Sequence, residues 1–299
     1  MKPSKNLLAQ IEEQMGEFSK GQKAIARYIL SHYDKAAFMT AYKLGSTVGV
    51  SESTVVRFAS EVGYEGYPQL QKALQELIRN RLTAIQRMEV TSEQLGNDVL
   101  TKVLNMDIER IRKTLETVSQ ADFNRAVDTL VAAKHIYIIG IRSASSLAGF
   151  LSFYFNHIFD NSRLVQTSST SEIFEQLLRV GPEDVLIAIS FPRYSRRTVN
   201  AAKFSKDRGA KVISITDCED SPLAPYSDIL MMARSDMASF VDSLVAPMSL
   251  INALIVAIGL KKSEEVSKTY STLEHIWAQY NVYEKTESDG EKERMTADE

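Results

Sequence analysis

Apolar residues recur at three- and four-residue intervals through roughly the first 120 positions and then give way to short continuous runs. Leu7, Leu8, Ile11 and Met15 predict a helix over residues 4–15. Ser19, standing before Ala24, Ile25, Tyr28 and Ile29, predicts a second, capped helix. A third is expected to begin near Thr40, with Ala41, Leu44 and Val48 on its inner face. The turn Gly49-Val50 then leads to Ser51, the expected N-cap of a helix that buries Val55, Phe58, Ala59 and Val62. Two helices joined by a short glycine-containing turn form the helix-turn-helix pattern. Beyond a turn at 64–68, Leu70, Leu74, Leu77 and Ile78 mark a further helix.

The next stretch is polar at Arg79, Arg81, Arg87 and Glu89, and Thr91-Ser92 is expected to interrupt it. Leu100, Val103, Leu104, Ile108, Ile111 and Leu115 restore the helical period. Such a stripe packs either on a partner helix or on the rest of its own chain, and periodicity does not separate the two. The second half reads differently. Residues 135–139, 184–189, 211–215 and 229–232 are short β-rich runs, with 163–165 a weaker one, and helical patterns lie between them. Continuous apolar strands alternating with helices imply a parallel sheet covered on both faces, an α/β doubly wound fold. Ligands of such sheets sit beyond the carboxyl ends of the strands, at the topological switch point.

At 299 residues the chain suits about two domains. Its net charge of −3 argues against a general polyanion-coating protein. The distribution says more: the first 90 residues hold 12 Lys/Arg against 9 Asp/Glu, while residues 284–299 hold 7 acids against 3 bases. That acidic tail has no apolar period and is expected to be disordered. Cys218 is the single cysteine, which fits a reducing compartment. The apolar run 244–260 is broken by Pro247, Ser249 and Asn252, so it reads as a buried helix rather than a membrane span. The chain opens on an amphipathic stretch rather than a secretory signal, and its expected location is the cytoplasm.

The chemistry of DNA reading fits the helix-turn-helix segment. A recognition helix lies in the major groove with its N-terminal residues at base edges. Ser51, Glu52, Ser53, Thr54 and Arg57 occupy those positions, and Arg57 has the fork that pairs bidentately with guanine. Glu52 suits either a cytosine amine or the helix dipole. Lys20, Gln22, Lys23 and Lys43 are placed to hold phosphates. A small helical bundle with Arg57 as a solvated charge is the plain alternative. The run Val50-Ser51-Glu52-Ser53-Thr54-Val55-Val56-Arg57-Phe58, followed by Gly63-Tyr64 and Gly66-Tyr67, resembles the DNA-binding domain of the RpiR/MurR family of transcription regulators. The resemblance covers residues 3–80 and implies a double-stranded DNA operator as partner.

Two loops at strand ends carry hydroxyls and arginines: Gly140-Ile141-Arg142-Ser143-Ala144-Ser145-Ser146, and Ser190 through Arg193, Tyr194 and Ser195 to Thr198. Each leads into a helix, whose free N–H groups and dipole suit a phosphate. Arginine adds a charge-assisted fork. The alternative is that the serines only cap helices and the arginines are surface charges. Residues 123–278 resemble the SIS (sugar isomerase) domain, a flavodoxin-like fold that binds phosphosugars. The resemblance implies that Ser143 lies in the first ligand loop and that Ser190, Ser195 and Thr198 lie in the main phosphate loop. Two positions depart from the family. Arg142 stands where the first loop usually has glycine, and Pro192-Arg193-Tyr194 intrude into the usual Ser-x-Ser-Gly-x-Thr. Without glycine, phosphate loses close backbone approach, which leaves an arginine as the anion partner and admits a related acidic metabolite as ligand. Asp242, before the apolar run, is placed either against sugar hydroxyls or as that helix's N-cap.

An isomerase also needs an acid/base pair at the substrate. Glu172, Glu175, His135 and His157 are the candidates, and they form no recognisable catalytic set. Cys218 lies between Asp217 and Glu219, which disfavour a thiolate. No phosphate-binding nucleotide loop and no Cys/His metal spacing occurs, so no cofactor or metal is expected. The sequence therefore reads as a non-enzymatic, ligand-responsive regulator of carbohydrate genes: a DNA-binding domain at 1–80, a helical connector at 81–120, an SIS sensing domain at 121–283 and an acidic tail at 284–299. It is expected to work as a homodimer or homotetramer, which presents paired recognition helices to a palindrome. A sugar-phosphate isomerase with an accessory helical domain is the alternative, and a second domain that only oligomerises is a third reading.

Overall fold

The computed structural model describes residues 7–78, 83–166, 169–237 and 239–283. The acidic tail at 284–299, the arginines at 79 and 81 and the start of the first predicted helix lie outside the described residues. The chain divides into two compact units. One takes the chain up to Glu116, with Phe191–Tyr194 and Arg234–Ala246; the other takes Thr117–Ser190, Ser195–Ala233 and the chain from Pro247 onward.

The first unit is helical. Helix α1 (Leu7–Glu13) runs into a single 3-10 turn at Gln14–Gly16. Helix α2 (Lys20–Ala36) begins with a reciprocal capping box, in which Ser19 accepts from the Gln22 amide and Gln22 accepts from the Ser19 amide. Helices α3 (Ala41–Val48), α4 (Glu52–Glu61) and α5 (Tyr67–Ile78) follow, with Thr40 and Ser51 as the N-caps of α3 and α4. Their stripes converge on one core in which Ile25, Ile29, Leu44, Val55, Phe58, Leu70 and Leu74 are fully buried. Tyr67 is buried with them, and its hydroxyl donates to the carbonyls of Met39 (2.8 Å) and Ala36 (3.3 Å).

Helix α6 (Ala84–Leu95) passes straight through the expected break at Thr91-Ser92. The Thr91 hydroxyl donates to the carbonyl of Arg87 one turn back, at 2.7 Å, so the helix continues without an orphaned polar group. Helix α7 (Val99–Thr117) carries the stripe predicted for residues 100–115.

The second unit holds five parallel strands in the order β2-β1-β3-β4-β5: β1 (Ile136–Gly140), β2 (Ser162–Leu164), β3 (Val185–Ile189), β4 (Lys211–Thr216) and β5 (Ile229–Met232). This is the doubly wound, flavodoxin-like order, and the weak candidate at 163–165 is its short edge strand. Strands β1 and β3 are buried along their whole length, which is why they read as unbroken apolar runs. Helices α8 (Gln120–Val131), α9 (Ala144–Ile158), α10 (Thr170–Gln176) and α11 (Arg196–Asp207) belong to this unit. So does α13 (Ser263–Tyr280), while α12 (Val245–Lys261) enters it from Pro247. The apolar run at 244–260 is α12, with Ile251, Leu254 and Ile258 buried. Among the described residues no single helix is long and apolar enough to cross a membrane.

Burial pushes the Tyr67 hydroxyl up to about 12. The folded chain thus holds this proton more tightly than the unfolded chain, whose tyrosines titrate near 10. The stability it contributes is complete below pH ~10 and is lost as pH rises toward ~12. Tyr67→Phe is expected to cost about 1 kcal/mol at neutral pH. It should also flatten the alkaline loss in denaturant titrations of the full chain; an unchanged alkaline limb would remove Tyr67 as its source.

Candidate functional site

In the helix-turn-helix, α3 ends on Gly49, whose φ of 77° is left-handed and whose N–H bonds to the Gly45 carbonyl. The Val50 amide shares that acceptor at 2.9 Å. Gly45 permits the close approach of the two helices, because a Cβ there would meet the Val50 carbonyl oxygen at 2.8 Å. The Ser51 hydroxyl accepts from the Thr54 amide and lies 2.9 Å from both the Ser53 and Thr54 hydroxyls. Ser51 is thus committed to capping, and Thr54 is half-buried. Glu52, Ser53 and Arg57 are exposed, and the Arg57 Nε–H donates to the Ser53 carbonyl on the same helix face.

A Cβ at Gly21 would lie 3.4 Å from Thr54 and Val50, so the first turn of α2 abuts the start of α4 and brings Lys20 and Lys23 near it. Lys20 and Lys43 are exposed, while the Lys23 ammonium donates to the Gly16 carbonyl. Two further exposed side chains were not singled out by sequence: Tyr42 beside Lys43, and Val56 beside Arg57. Their signal was available, since both lie off the buried stripe.

At the sheet, Gly140 of β1 pairs with Ile189 of β3, so the two serine-rich loops leave the carboxyl edge from neighbouring strands at the switch point. Gly140 has no room for a side chain, because a Cβ would stand 2.4 Å from the Ala144 carbonyl oxygen. Arg142 follows at φ 61°. Its carbonyl accepts from both the amide and the hydroxyl of Ser145, at 3.0 and 2.6 Å. Ser143 caps α9 without spending its side chain on the cap. A pocket of about 290 Å³ opens here, lined by Gly140, Arg142, Ser145, Leu164 and Gln166 among others.

In the second loop the buried Ser190 hydroxyl accepts from the Ser195 amide at 3.2 Å. Ser195 caps α11 by accepting from the Thr198 amide. Thr198 is fully buried, and its hydroxyl oxygen has no hydrogen-bond partner among the described residues. Ser190, Ser195 and Thr198 thus form one bonded loop, while Arg142 and Ser145 line the pocket on the β2 side. Arg193, exposed at φ 65°, and Tyr194 fall in the segment that clusters with the first unit. Both arginines occupy left-handed backbone that favours glycine, a strain of order 1 kcal/mol each.

Asp242 neither lines the strand-end pocket nor caps α12; the Ser243 hydroxyl accepts from the Val245 amide at that helix start. Asp242 instead takes a 2.6 Å charge-assisted bond from Arg87, which is only 1% exposed. Around this pair, Arg110 donates to Asp107 and to the Met237 carbonyl, and Ser243 donates to Asp107 at 2.6 Å. Met237 bridges to Asp242 and packs on the core of the first unit. Arg87 was read from sequence as part of a polar connector, and nothing local marks it as buried.

Comparison with known proteins places these features. A helix-turn-helix domain of the rpiR family matches residues 5–81, and the SIS domain matches residues 129–257. The chain thus joins an rpiR-family helix-turn-helix domain to an SIS domain. The chain is 24% identical over 265 residues to the HTH-type transcriptional regulator HexR of Pseudomonas aeruginosa, covering 86% of this chain and 90% of HexR. It is 26% identical over 223 residues to an HTH-type transcriptional regulator of Clostridium perfringens, covering 74% and 79% of the two. Its fold matches Vibrio vulnificus NanR complexed with ManNAc-6P, with a TM-score of 0.57 and 22% identity over 92% of this chain and 99% of that one. With these two domains, and with HTH-type transcriptional regulators as its relatives, the chain is a DNA-binding transcriptional regulator.

Asp242→Ala removes the partner of a buried guanidinium. We expect a loss of about 3–5 kcal/mol in denaturant unfolding of the ligand-free chain. A stability within ~0.5 kcal/mol of wild type would mean that Arg87 is not held by this carboxylate.

Proposed function

We propose that this regulator controls carbohydrate genes in the cytoplasm and that its SIS domain takes a phosphorylated sugar, or a related acidic metabolite, as effector. The observation that carries this reading is the Thr198 hydroxyl, fully buried and without a partner in the first turn of α11. It stands beside a serine cap at a strand end, where free amides and the helix dipole favour an anion. Arg142, Ser143 and Ser145 supply the facing loop, and Ser190 holds the main loop closed. Arg193 and Tyr194 belong to the tripeptide that intrudes into the main loop, and Arg142 provides charge where the resemblance puts a glycine. Asp242 falls outside this set because Arg87 occupies it. The phosphosugar in the NanR complex supports the ligand class.

On the DNA side, Ser53, Glu52 and Arg57 face base edges, with Ser51 and Thr54 shaping the helix start and Lys20, Lys23 and Lys43 on phosphates. The DNA-binding domain takes residues 1–80, the connector 81–120 and the sensing domain 121–283, with 284–299 as an acidic tail. A homodimer or homotetramer sets two recognition helices on a palindrome. The effector acts only so far as it prefers one arrangement of those helices over another.

The chain is read as no enzyme. His135 is tied to Asp184 at 2.8 Å and His157 lies 3.2 Å from the Tyr270 hydroxyl, which gives both histidines structural work away from the serine loops. The carboxylate candidates Glu172 and Glu175 sit on α10, and the isomerase alternative is not favoured.

The full-length chain should gain about 2.7 kcal/mol of stability at an effector concentration a hundred times Kd. Screened by thermal unfolding against sugar phosphates and sugar acids, a selective shift is expected, and it should vanish in Ser195→Ala and weaken in Arg142→Gly. No shift with any phosphorylated compound would refute the effector reading. Arg57→Ala should weaken binding to an operator selected from random DNA by about 1–3 kcal/mol and relax preference at one base pair. An unchanged preference would remove Arg57 from base reading.

A further inference from the structure

Helix α4 presents two unlike faces. At 3.6 residues per turn Val55, Phe58, Ala59 and Val62 fall within about 100° of arc, and all are buried. Glu52, Val56, Ser60, Ser53 and Arg57 follow one another around about 140° of the other side, and all are exposed. Val56 is the apolar member of that polar face, at 41% exposure. A lone exposed apolar residue is ordinary on a protein surface, so what matters is its place. Valine is a poorer helix former than alanine, and folding alone gives no reason for it at an open position in the middle of α4.

We propose that Val56 is a specificity-determining residue that reads the C5-methyl group of a thymine in the major groove of the operator. The inference deepens the DNA reading put forward above and rests on α4 being the helix that enters the groove. The polar neighbours of Val56 leave the spot to it. The Arg57 Nε–H donates to the Ser53 carbonyl at 3.3 Å, and the Ser60 hydroxyl donates to the Val56 carbonyl at 3.5 Å, so both groups are engaged with the helix itself.

Groove chemistry names the partner. Every base edge in the major groove offers donors or acceptors, and thymine alone adds a methyl group. An isopropyl group set against guanine, adenine or the cytosine amine would take those polar groups out of water without replacing the hydrogen bond. Against a thymine methyl, two apolar surfaces leave water together. Valine is also short and stiff at χ1, so it meets only a group that projects toward the helix. Val56 and Arg57 are consecutive, and base pairs rise about 3.4 Å each, which puts the thymine within about two base pairs of the one that Arg57 reads.

The test uses the full-length chain and an operator that it selects from random DNA. Each thymine of that operator is replaced singly by deoxyuridine, which removes only the methyl group. With the unaltered chain, one thymine per half-site should cost about four-fold in affinity when replaced, the equivalent of one buried methyl group. In Val56→Ala that loss should vanish, with the thymine and uracil operators bound alike. Far-UV circular dichroism and the slope of affinity against salt should stay unchanged, because no phosphate contact is lost. A uracil penalty of equal size in both proteins, or no penalty at any thymine, would overturn the role of Val56. Arg57→Ala separates this from the reading beneath it. If that variant relaxes a base preference while Val56→Ala changes nothing, the role of Val56 falls alone. If neither variant alters the selected sequence, α4 is not the reading helix and both fall.

Discussion

A guanidinium that is 1% exposed cannot stand alone, and the first unit is arranged around that demand at Arg87. Removing a cation from water costs several kcal/mol, which only a well-placed anion and further polar partners offset. Asp242 supplies the anion from 155 residues away in sequence. To bring it there, the chain leaves β5, runs Arg234–Ala246 through the first unit and returns to the second within the first turn of α12. The surrounding bonds, Arg110 to Met237, Ser243 to Asp107 and Thr91 to Ser239, keep that segment from sliding and leave Asp242 little freedom to serve anything else.

Local rules made much of the fold readable in advance. Ser19 and Ser51 were visible as caps because a serine ahead of an apolar period has a short-range cause. The strands were visible because a doubly covered parallel sheet leaves no polar alternation to confuse them. The break expected at Thr91-Ser92 failed for an equally local reason that composition does not reveal: the threonine hydroxyl found its own helix carbonyl. Arg87 was illegible because its burial is decided by a distant carboxylate.

The candidate sites divide in the same way. Residue types and strand ends pointed to the serine loops, yet hydroxyls serve both caps and ligands, and only geometry separates them. Ser51 is spent on a cap, whereas Thr198 is buried with its oxygen unsatisfied. Of the two arginines at positive φ, only Arg142 was foreshadowed, by the glycine that the resemblance puts in its place. Each arginine holds a backbone conformation that glycine favours, so local strain accompanies the cation.

The path of residues 234–246 bears on how such proteins are taken apart and recombined. A fragment ending near Glu116 would hold the whole helix-turn-helix and the three helices α5 to α7 that follow, yet it would leave Arg87 without its carboxylate. The compact unit that holds the DNA-reading helices is therefore not contiguous in sequence. A gene fusion joined after α7 must carry a loop from deep within the old sensor, whereas one joined after α5 keeps the buried helical core and leaves Arg87 behind.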